Sequence, residues 1–159
     1  MIRKSNKFSR PHKLYDKVRI GDENKLVEEY GLKSKREIWK AEAKIKYFRN
    51  RAKFLITSDL EEQNKFFAKL RNIGLSVKTI ADVLALNKED LLKRRLTTLV
   101  WKKGLANSAK QARQLVVHKK ISVDGRVVDV PSYIVQVDSE ANIILKEKPE
   151  SVEAKQWVN

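Results

Sequence analysis

The side chains between Ser108 and Lys120 are of the types that bind phosphate groups and base edges, in the order SAKQARQLVVHKK. A helix beginning at Ser108 would carry Lys110, Arg113 and Gln114 on one side. Arginine offers a planar fork for a phosphate or a base edge, lysine a point charge, and glutamine both a donor and an acceptor. The free N–H groups at the start of such a helix add a second place for a phosphate. The pattern predicts nucleic-acid binding.

These residues lie in a longer block that contains no acid. Residues 91–120 hold nine Lys or Arg and no Asp or Glu. Solvated helices usually interleave the two signs, because opposite charges at i,i+4 stabilise a helix and like charges destabilise it. We therefore expect an anionic partner. A phosphate backbone fits, because bound lysines and arginines release its condensed counterions.

The remaining charge is also concentrated in blocks. The chain has 159 residues, 35 Lys plus Arg against 20 Asp plus Glu, and a net charge of +15. Residues 1–20 hold seven basic and one acidic residue, and residues 35–55 hold eight and two. Three Trp, four Tyr and five Phe among 42% hydrophobic residues indicate a folded protein and not a disordered basic tail. Three cationic blocks on a folded chain predict an interaction surface.

Several classes of function are not expected from this composition. The absence of Cys excludes disulfides, Cys-ligated zinc, iron–sulfur clusters and thiol catalysis. There is no Gly-rich phosphate loop, nucleophile elbow or HExxH motif, and neither His has a convincing carboxylate partner, so we expect no enzyme, no cofactor and no metal. No run of about eighteen apolar residues could span a bilayer, and no signal peptide is visible. We expect a cytosolic or nuclear protein without membrane contact. A mitochondrial transit peptide is less favoured, because Pro11 and sparse apolar positions give no clear amphipathic helix.

The first half of the chain predicts an arm followed by helices. Residues 1–22 are basic and include Pro11, so we expect an extended arm that orders on RNA. A helical domain over 23–92 should begin with a short helix from Lys25 to Tyr30. Capping-box patterns then begin two helices, at Ser34 with Glu37 and at Ser58 with Glu61, and a short helix follows Thr79. The apolar stripes of the two capped helices are Ile38, Ala41, Ile45, Phe48, Ala52 and Leu55, then Leu60, Phe67, Leu70 and Ile73.

The second half predicts two helices and then strands. One helix should run from Asn87 to Gly104, and Ser108 with Gln111 should cap the next. From residue 121 the apolar period changes to two, and Asp124-Gly125 is a hairpin signal. Short strands are expected near 121–123, 127–130, 133–137 and 143–145. The predicted class is α+β: a helical N-terminal region, an RNA-binding domain over 93–146 with two helices and a small antiparallel sheet, and a loose tail over 147–159.

The stretch from Arg94 to Val135 resembles the S4-type RNA-binding domain, named after small-subunit ribosomal protein four. Residues 24–90 resemble the helical region that precedes this domain in the archaeal and eukaryotic members of that ribosomal family. The lack of cysteine fits the archaeal type, because bacterial members often carry an N-terminal cysteine cluster for zinc. The matching pieces are Arg95-Leu96, Gly104, Ser108, Gln111-Ala112-Arg113-Gln114-Leu115, His118, Ile121 with Val123, Gly125 and Pro131-Ser132-Tyr133.

The resemblance implies a component of the cytoplasmic small ribosomal subunit. It would bind small-subunit rRNA directly and early in assembly, beside ribosomal protein five and near the messenger RNA entry path, where it would influence decoding accuracy. One departure is that Lys119-Lys120 stand where a glycine commonly follows the histidine. The expected RNA-binding residues are Arg10, Lys40, Lys44, Arg49, Arg51, Arg94, Arg95, Lys102, Lys103, Ser108, Lys110, Arg113, Gln114, His118 and Lys119.

Other interpretations of the same pattern remain open. A small-subunit biogenesis factor with the same domain is the first alternative. An RNA-modifying or tRNA-charging enzyme is disfavoured because its catalytic domain is missing, and a duplex-DNA reader is conceivable from two helices and a turn. A lone histidine is usually structural, so His118 is expected to pack or contact backbone first and RNA second. Trp39 and Trp101 are expected to be buried more than to stack on bases, and no RNA contact is assigned to Trp157.

Overall fold

Two hydrophobic cores organise the computed structural model, which describes residues 7–146. The first core is built from residues between Leu26 and Leu92, and the second from residues between Leu96 and Ile143. The α+β class predicted from the sequence is confirmed. In chain order the described elements are α1 (Lys17–Glu29), α2 (Lys35–Leu55), α3 (Leu60–Asn72), α4 (Ile80–Ala85), α5 (Lys88–Lys93), α6 (Leu96–Lys102), α7 (Ala109–Val117), β1 (Ile121–Val123), β2 (Arg126–Val127), α8 (Val137–Glu140) and β3 (Ile143–Leu145).

Helix α2 is the spine of the first core. All six residues of its predicted apolar stripe are buried, and Ile38 and Ala52 have no exposed surface. The stripe faces α1, α4 and α5, which pack against α2. A 21-residue helix buried along one side in this way leaves its opposite side free to carry charge.

The N-terminal helix begins earlier than the sequence predicted. Helix α1 starts at Lys17 and not at Lys25, so the last six residues of the predicted extended arm are helical. The cause is a cap at Asp16, whose carboxylate accepts hydrogen bonds from the backbone N–H groups of Val18 and Arg19, at 3.1 and 3.4 Å. Residues 1–6 of the predicted arm and the whole predicted tail over 147–159 lie outside the described residues.

None of the three predicted capping boxes forms in full; in the third, Gln111 Oε1 accepts from the Asn107 N–H and not from the Ser108 N–H. Ser34 makes no side-chain cap, and α3 follows Asp59 and not Ser58. Ser108 does cap α7, since its Oγ accepts from the Gln111 N–H at 3.2 Å. Leu60, expected in the α3 stripe, is 76% exposed, whereas Phe67 and Leu70 are buried. The missing box at Ser34 leaves the Glu37 side chain available for another partner.

The helix predicted from Asn87 to Gly104 is interrupted. Helix α5 ends at Lys93 and α6 begins at Leu96, with Arg95 in an extended conformation between them. Arg95 forms an isolated antiparallel bridge with Ile134, and the Leu96 N–H donates to the Tyr133 carbonyl at 2.8 Å. The strand expected over 133–137 does not form apart from this bridge, and α8 begins at Val137.

The small sheet has the order β2-β1-β3 and is antiparallel throughout. Asp124 and Gly125 form the predicted hairpin turn, with φ of 49° and 77°. All three β1 residues are buried, and α7, which packs on α6, contributes to the same core. The domain boundaries predicted after residues 22 and 92 stay predictions.

Gly31 sits where the helical region touches the start of α7. Its φ is +58°, and a Cβ atom there would lie 2.7 to 2.9 Å from backbone atoms of Ala109 and Lys110. Backbone atoms cannot rotate away as the end of a side chain can. The position therefore requires glycine both for its conformation and for this close approach.

We expect Gly31→Ala to lower the free energy of unfolding by about 2–4 kcal/mol, because it adds left-handed strain and overpacking at once. Gly21→Ala is the matched control, since Gly21 lies within α1 with no atom within 4 Å of its added Cβ. That control should raise stability by about 0.5–1 kcal/mol. Urea denaturation of both variants checks the prediction, and equal effects would contradict it.

Candidate nucleic-acid interface

The carboxylate of Glu37 joins the helical region, α1–α5, to the C-terminal region, α6–β3. Its Oε2 accepts a hydrogen bond from Arg95 Nη2 at 2.6 Å and another from Arg113 Nη1 at 3.0 Å. Its Oε1 accepts from Arg113 Nη2 at 2.8 Å, so the Arg113 contact is bidentate. We call these three residues the Glu37 latch. The bonds cross 58 and 76 residues of sequence, and they fix α2 relative to α7.

The latch is largely shielded from water. The side chains of Glu37, Arg95 and Arg113 are 16, 6 and 20% exposed. Burial would by itself raise the pKa of Glu37, but the hydrogen bonds and charges of Arg113 and Arg95 outweigh it and lower the pKa below its ordinary value. Glu37 is therefore ionised at neutral pH, and both guanidinium groups are paired.

Arg94, like Arg95 and Arg113, pairs with an acid that is distant along the chain. Its Nη1 donates to Glu140 at 2.8 Å, its Nε to the Ile73 carbonyl at 2.9 Å and its Nη2 to the Val135 carbonyl at 3.4 Å. The side chain is 15% exposed. Arg94 thus ties the end of α3 to the segment that carries α8.

These contacts correct one premise of the sequence analysis. The charges of the acid-free block over 91–120 are not all uncompensated, because Glu37 and Glu140 supply acids from outside it. No local signal could have found partners so distant along the chain. The RNA contacts predicted for Arg94, Arg95 and Arg113 would require displacement of these carboxylates.

The remaining predicted residues of the C-terminal region lie at the surface. His118, expected to pack or to contact backbone first and RNA second, is an exposed residue at the C-cap of α7. Lys103 Nζ donates to the Ala141 carbonyl at 3.1 Å. None of the lysines around the α6–α7 turn has a salt bridge among residues 7–146. The exposed group is Lys102, Lys103, Ser108, Lys110, Gln114, His118 and Lys119, which we call the α7 surface.

The predicted cations of α2 divide between two sides of the helix. Lys40 is exposed and Lys44 is half-buried beside it. Arg49 is half-buried about 180° from Lys40, since nine residues make two and a half turns, and its Nη2 donates to the Leu86 carbonyl at 2.5 Å. Arg51 is exposed on the Lys40 side. The cations of α2 therefore do not form a single surface.

A cleft of about 300 Å³ brings part of the predicted set together. Lys40 and Lys44 line its α2 side, and Arg95 and Arg113 line the opposite side. Burial, with the charges of Lys69 and Lys7, lowers the pKa of Lys44. Glu37 also lines the cleft, so its lining holds four cations and one carboxylate and has a net positive charge. Arg10 is exposed in the segment before α1 and does not line this cleft.

The tryptophans differ in their environments. Trp39 is half-buried, and its Nε1 donates to Glu23 at 2.9 Å. Glu23 also accepts from Arg19 at 2.7 Å, so this buried carboxylate connects α1 to α2. Trp101 is 37% exposed, although burial was the favoured expectation. Trp157 lies outside the described residues.

Lys119 adopts a conformation that usually belongs to glycine. Its φ is +59°, and it closes α7 with a pair of hydrogen bonds, from Lys119 N–H to Val116 and from Lys120 N–H to Leu115, both 3.0 Å. This is the Schellman arrangement of a helix C-terminus. The lysine that departs from the resembled family's usual glycine therefore keeps the glycine's backbone geometry, and it places a charge on the α7 surface.

Residues 7–146 contain neither a cluster of possible metal ligands nor a helix that could span a membrane. Within residues 7–146, no group of three His, Asp or Glu side chains is close enough to hold a metal ion. In the same range, every helix is too short or too polar to cross a membrane.

Comparisons with known proteins identify relatives of both regions. The S4 domain family matches residues 94–140. The small ribosomal subunit protein uS4 of Saccharolobus solfataricus is 44% identical over 141 residues, which are 84% of this chain and 78% of the relative. The uS4 protein of Methanothermobacter thermautotrophicus is 42% identical over 145 residues, 86% of this chain and 84% of the relative. That of Methanococcus aeolicus is 41% identical over 145 residues, 87% and 82% of the two chains.

The Glu37 latch predicts a large loss of stability in Glu37→Gln. Two arginines would lose their charged partner in a largely buried setting, so the free energy of unfolding should fall by about 2–4 kcal/mol. Glu61→Gln is the control, because the pair of Glu61 with Lys65 is exposed at 86 and 78%, and it should change stability by less than about 0.5 kcal/mol. Urea denaturation at neutral pH measures both.

The same variant should alter the response to acid. The pKa of Glu37 is lowered in the folded chain from its ordinary 4.5, so the contribution of this carboxylate is complete above pH 4.5 and is lost as pH falls through the lower folded value. The stability difference between wild type and Glu37→Gln should therefore shrink below pH 4.5. A difference that stays constant down to pH 2 would contradict the assignment.

Lys119→Gly should stabilise the chain by about 0.5–1 kcal/mol, because relief of left-handed strain exceeds the added entropy of the unfolded chain. Lys120→Gly removes the same charge from a residue without positive φ, so it should be neutral or destabilising. Thermal and urea unfolding compare the two variants. If Lys119→Gly is less stable than Lys120→Gly, the left-handed backbone at Lys119 is not strained.

Proposed function

The chain belongs to the uS4 family of small ribosomal subunit proteins, and from this premise we propose that it binds small-subunit rRNA directly, nucleates assembly of the subunit body and contributes to translational accuracy. As a member of that family it is a ribosomal protein with an S4 RNA-binding domain, not an enzyme, and it works in the cytoplasmic ribosome. The observation that carries the rRNA-binding proposal is the exposed charge of the α7 surface, whose lysines have no salt bridge within residues 7–146.

The α7 surface has the properties that a phosphate backbone selects. Helix α7 has no acidic residue in its first turn, and Ser108 caps it while Lys110 is exposed beside the cap. Free N–H groups at the helix start and the lysine charge favour the same phosphate. Lys102 and Lys119 extend the positive surface toward both ends of α7.

In this proposal the arginines and lysines have separate duties. Arg94, Arg95 and Arg113 hold the fold through carboxylates, and the exposed lysines contact RNA. The Glu37 latch sets the spacing between the cations of α2 and those of the α7 surface. Because the spacing exists before binding, less conformational entropy is lost when RNA binds.

The family resemblance extends the proposal to neighbours. We include contact with ribosomal protein five and a position near the messenger RNA entry path, both of which stand on the family alone. Crosslinking of isolated subunits, with both partners mapped, tests these two contacts directly. Absence of ribosomal protein five from the crosslinked products would remove that part of the proposal.

The affinity for a small-subunit rRNA fragment should depend steeply on salt. With about six to ten phosphate contacts, log affinity should fall against log salt with a slope of about −4 to −9. Replacing Lys102, Lys110 and Lys119 together by Gln should reduce that slope by about 2–3. Titration of labelled RNA over a range of potassium chloride concentrations measures both.

The matched control removes three lysines that have nearby acids. Lys25, Lys65 and Lys93 pair with Asp22, Glu61 and Asp90 and are 82, 78 and 48% exposed. Their combined change to Gln alters net charge equally and should leave the slope unchanged. Equal effects of the two triple variants would show that net charge, not the α7 surface, governs binding.

Sedimentation separates a ribosomal protein from a biogenesis factor. We expect the chain in mature small subunits at one copy per subunit. Confinement to precursor particles would favour the biogenesis alternative.

A further inference from the structure

One face of α2 lies outside the buried stripe and outside the Glu37 latch, although its Lys40 also lines the cleft beside the latch and lies 6.0 Å from the centroid of the Phe8 ring. Lys40, Tyr47, Arg51 and Phe54 are spaced by seven, four and three residues, so they fall within an arc of about 60°. Tyr47 is 64% exposed and Phe54 is 63% exposed. The apolar stripe of α2 lies on the other side of the helix, so the rings of Tyr47 and Phe54 do not pack in the core.

The two rings are exposed on the same face of the helix. They lie two helical turns apart, which is about 10 Å along α2. The Arg51 guanidinium is 5.4 Å from the centroid of the Phe54 ring, a cation–π distance. No element within residues 7–146 covers either ring, since each keeps more than half of its surface exposed.

This face carries positive charge and no acid. Helix α2 has two acidic residues; Glu37 is engaged in the latch, and Glu42 is about 160° from Lys40. Lys44 borders the face, and Lys69 and Lys7 add to the positive charge around it. Neither Lys40 nor Arg51 has a salt bridge within residues 7–146. An apolar partner protein would supply no counter-charge for them, whereas a polyanion with stackable rings matches both features.

We propose that Tyr47 and Phe54 stack on two unpaired bases of an RNA strand, while Lys40 and Arg51 contact the flanking phosphates. The inference rests on the proposed RNA binding and specifies the kind of RNA segment that binds to α2. A-form duplex hides its base faces in the stack, so the ligand is an unpaired segment such as a loop or bulge. Base–aromatic stacking of this kind changes affinity by between about 5-fold and about 150-fold per ring.

The test uses three RNA probes: a twelve-nucleotide single strand, the same sequence as a blunt duplex, and a strand with abasic sites. Tyr47→Leu and Phe54→Leu keep apolar bulk and charge but remove the flat ring. Each should weaken binding of the single strand by at least about 5-fold and leave the duplex, the abasic strand and the salt slope unchanged. Tyr133→Leu is the control, because Tyr133 is 40% exposed outside this face, and it should leave binding of the single strand unchanged.

The inference would be overturned if the wild-type chain bound the single strand and the abasic strand with equal affinity. It would also be overturned if both leucine variants bound the single strand as tightly as wild type does. In either case a steep salt slope of wild type would leave the proposed function standing. Failure of wild type to bind any RNA would overturn both. Ultraviolet crosslinking of the wild-type chain to the single strand needs no variant, and peptide mapping should place crosslinks at Tyr47 or Phe54. Crosslinks found only on other elements would also overturn it.

Discussion

The carboxylate of Glu37, which is 16% exposed, is the charged contact that joins α2 to the C-terminal region. An ionised carboxylate out of water requires charged partners, and here Arg95 and Arg113 satisfy it from two different elements of the C-terminal region. Arg95 reaches it only because the chain is extended between α5 and α6. The latch, the helix break and the close approach at Gly31 all lie where the helical region meets the C-terminal region.

The positive charge of the chain serves two physical purposes. Guanidinium groups suit buried pairing, since their planar forks match a carboxylate and are more weakly hydrated than an ammonium group. The described arginines of the acid-free block are accordingly paired, and its lysines are exposed. A count of charges along the sequence cannot separate these uses, although residue type gives a partial signal. The excess that remains at the surface is the charge that we propose contacts RNA.

Local signals predicted part of the local structure. The α2 stripe, the Thr79 cap and the Asp124-Gly125 hairpin depend on neighbours within a few residues, and all three are confirmed. The capping boxes at Ser34 and Ser58 are absent, and the cap at Asp16 was not predicted, so α1 was predicted too short. The break at Arg95 arises from pairing with Ile134, and no periodicity in the sequence marks it.

Glu37 shows most clearly why sequence reasoning was incomplete. Its position after Ser34 fitted a capping box, but two distant guanidinium groups provide the stronger interaction. A double-mutant cycle with Glu37→Gln and Arg113→Gln, followed in both unfolding free energy and rRNA affinity, tests whether Arg113 serves to pair Glu37 and not to bind RNA. We expect a coupling of about 1–3 kcal/mol in unfolding free energy, and little direct loss of rRNA affinity from Arg113→Gln once the variants are compared at equal stability. No coupling in unfolding free energy, together with a large loss of rRNA affinity from Arg113→Gln, would contradict this role.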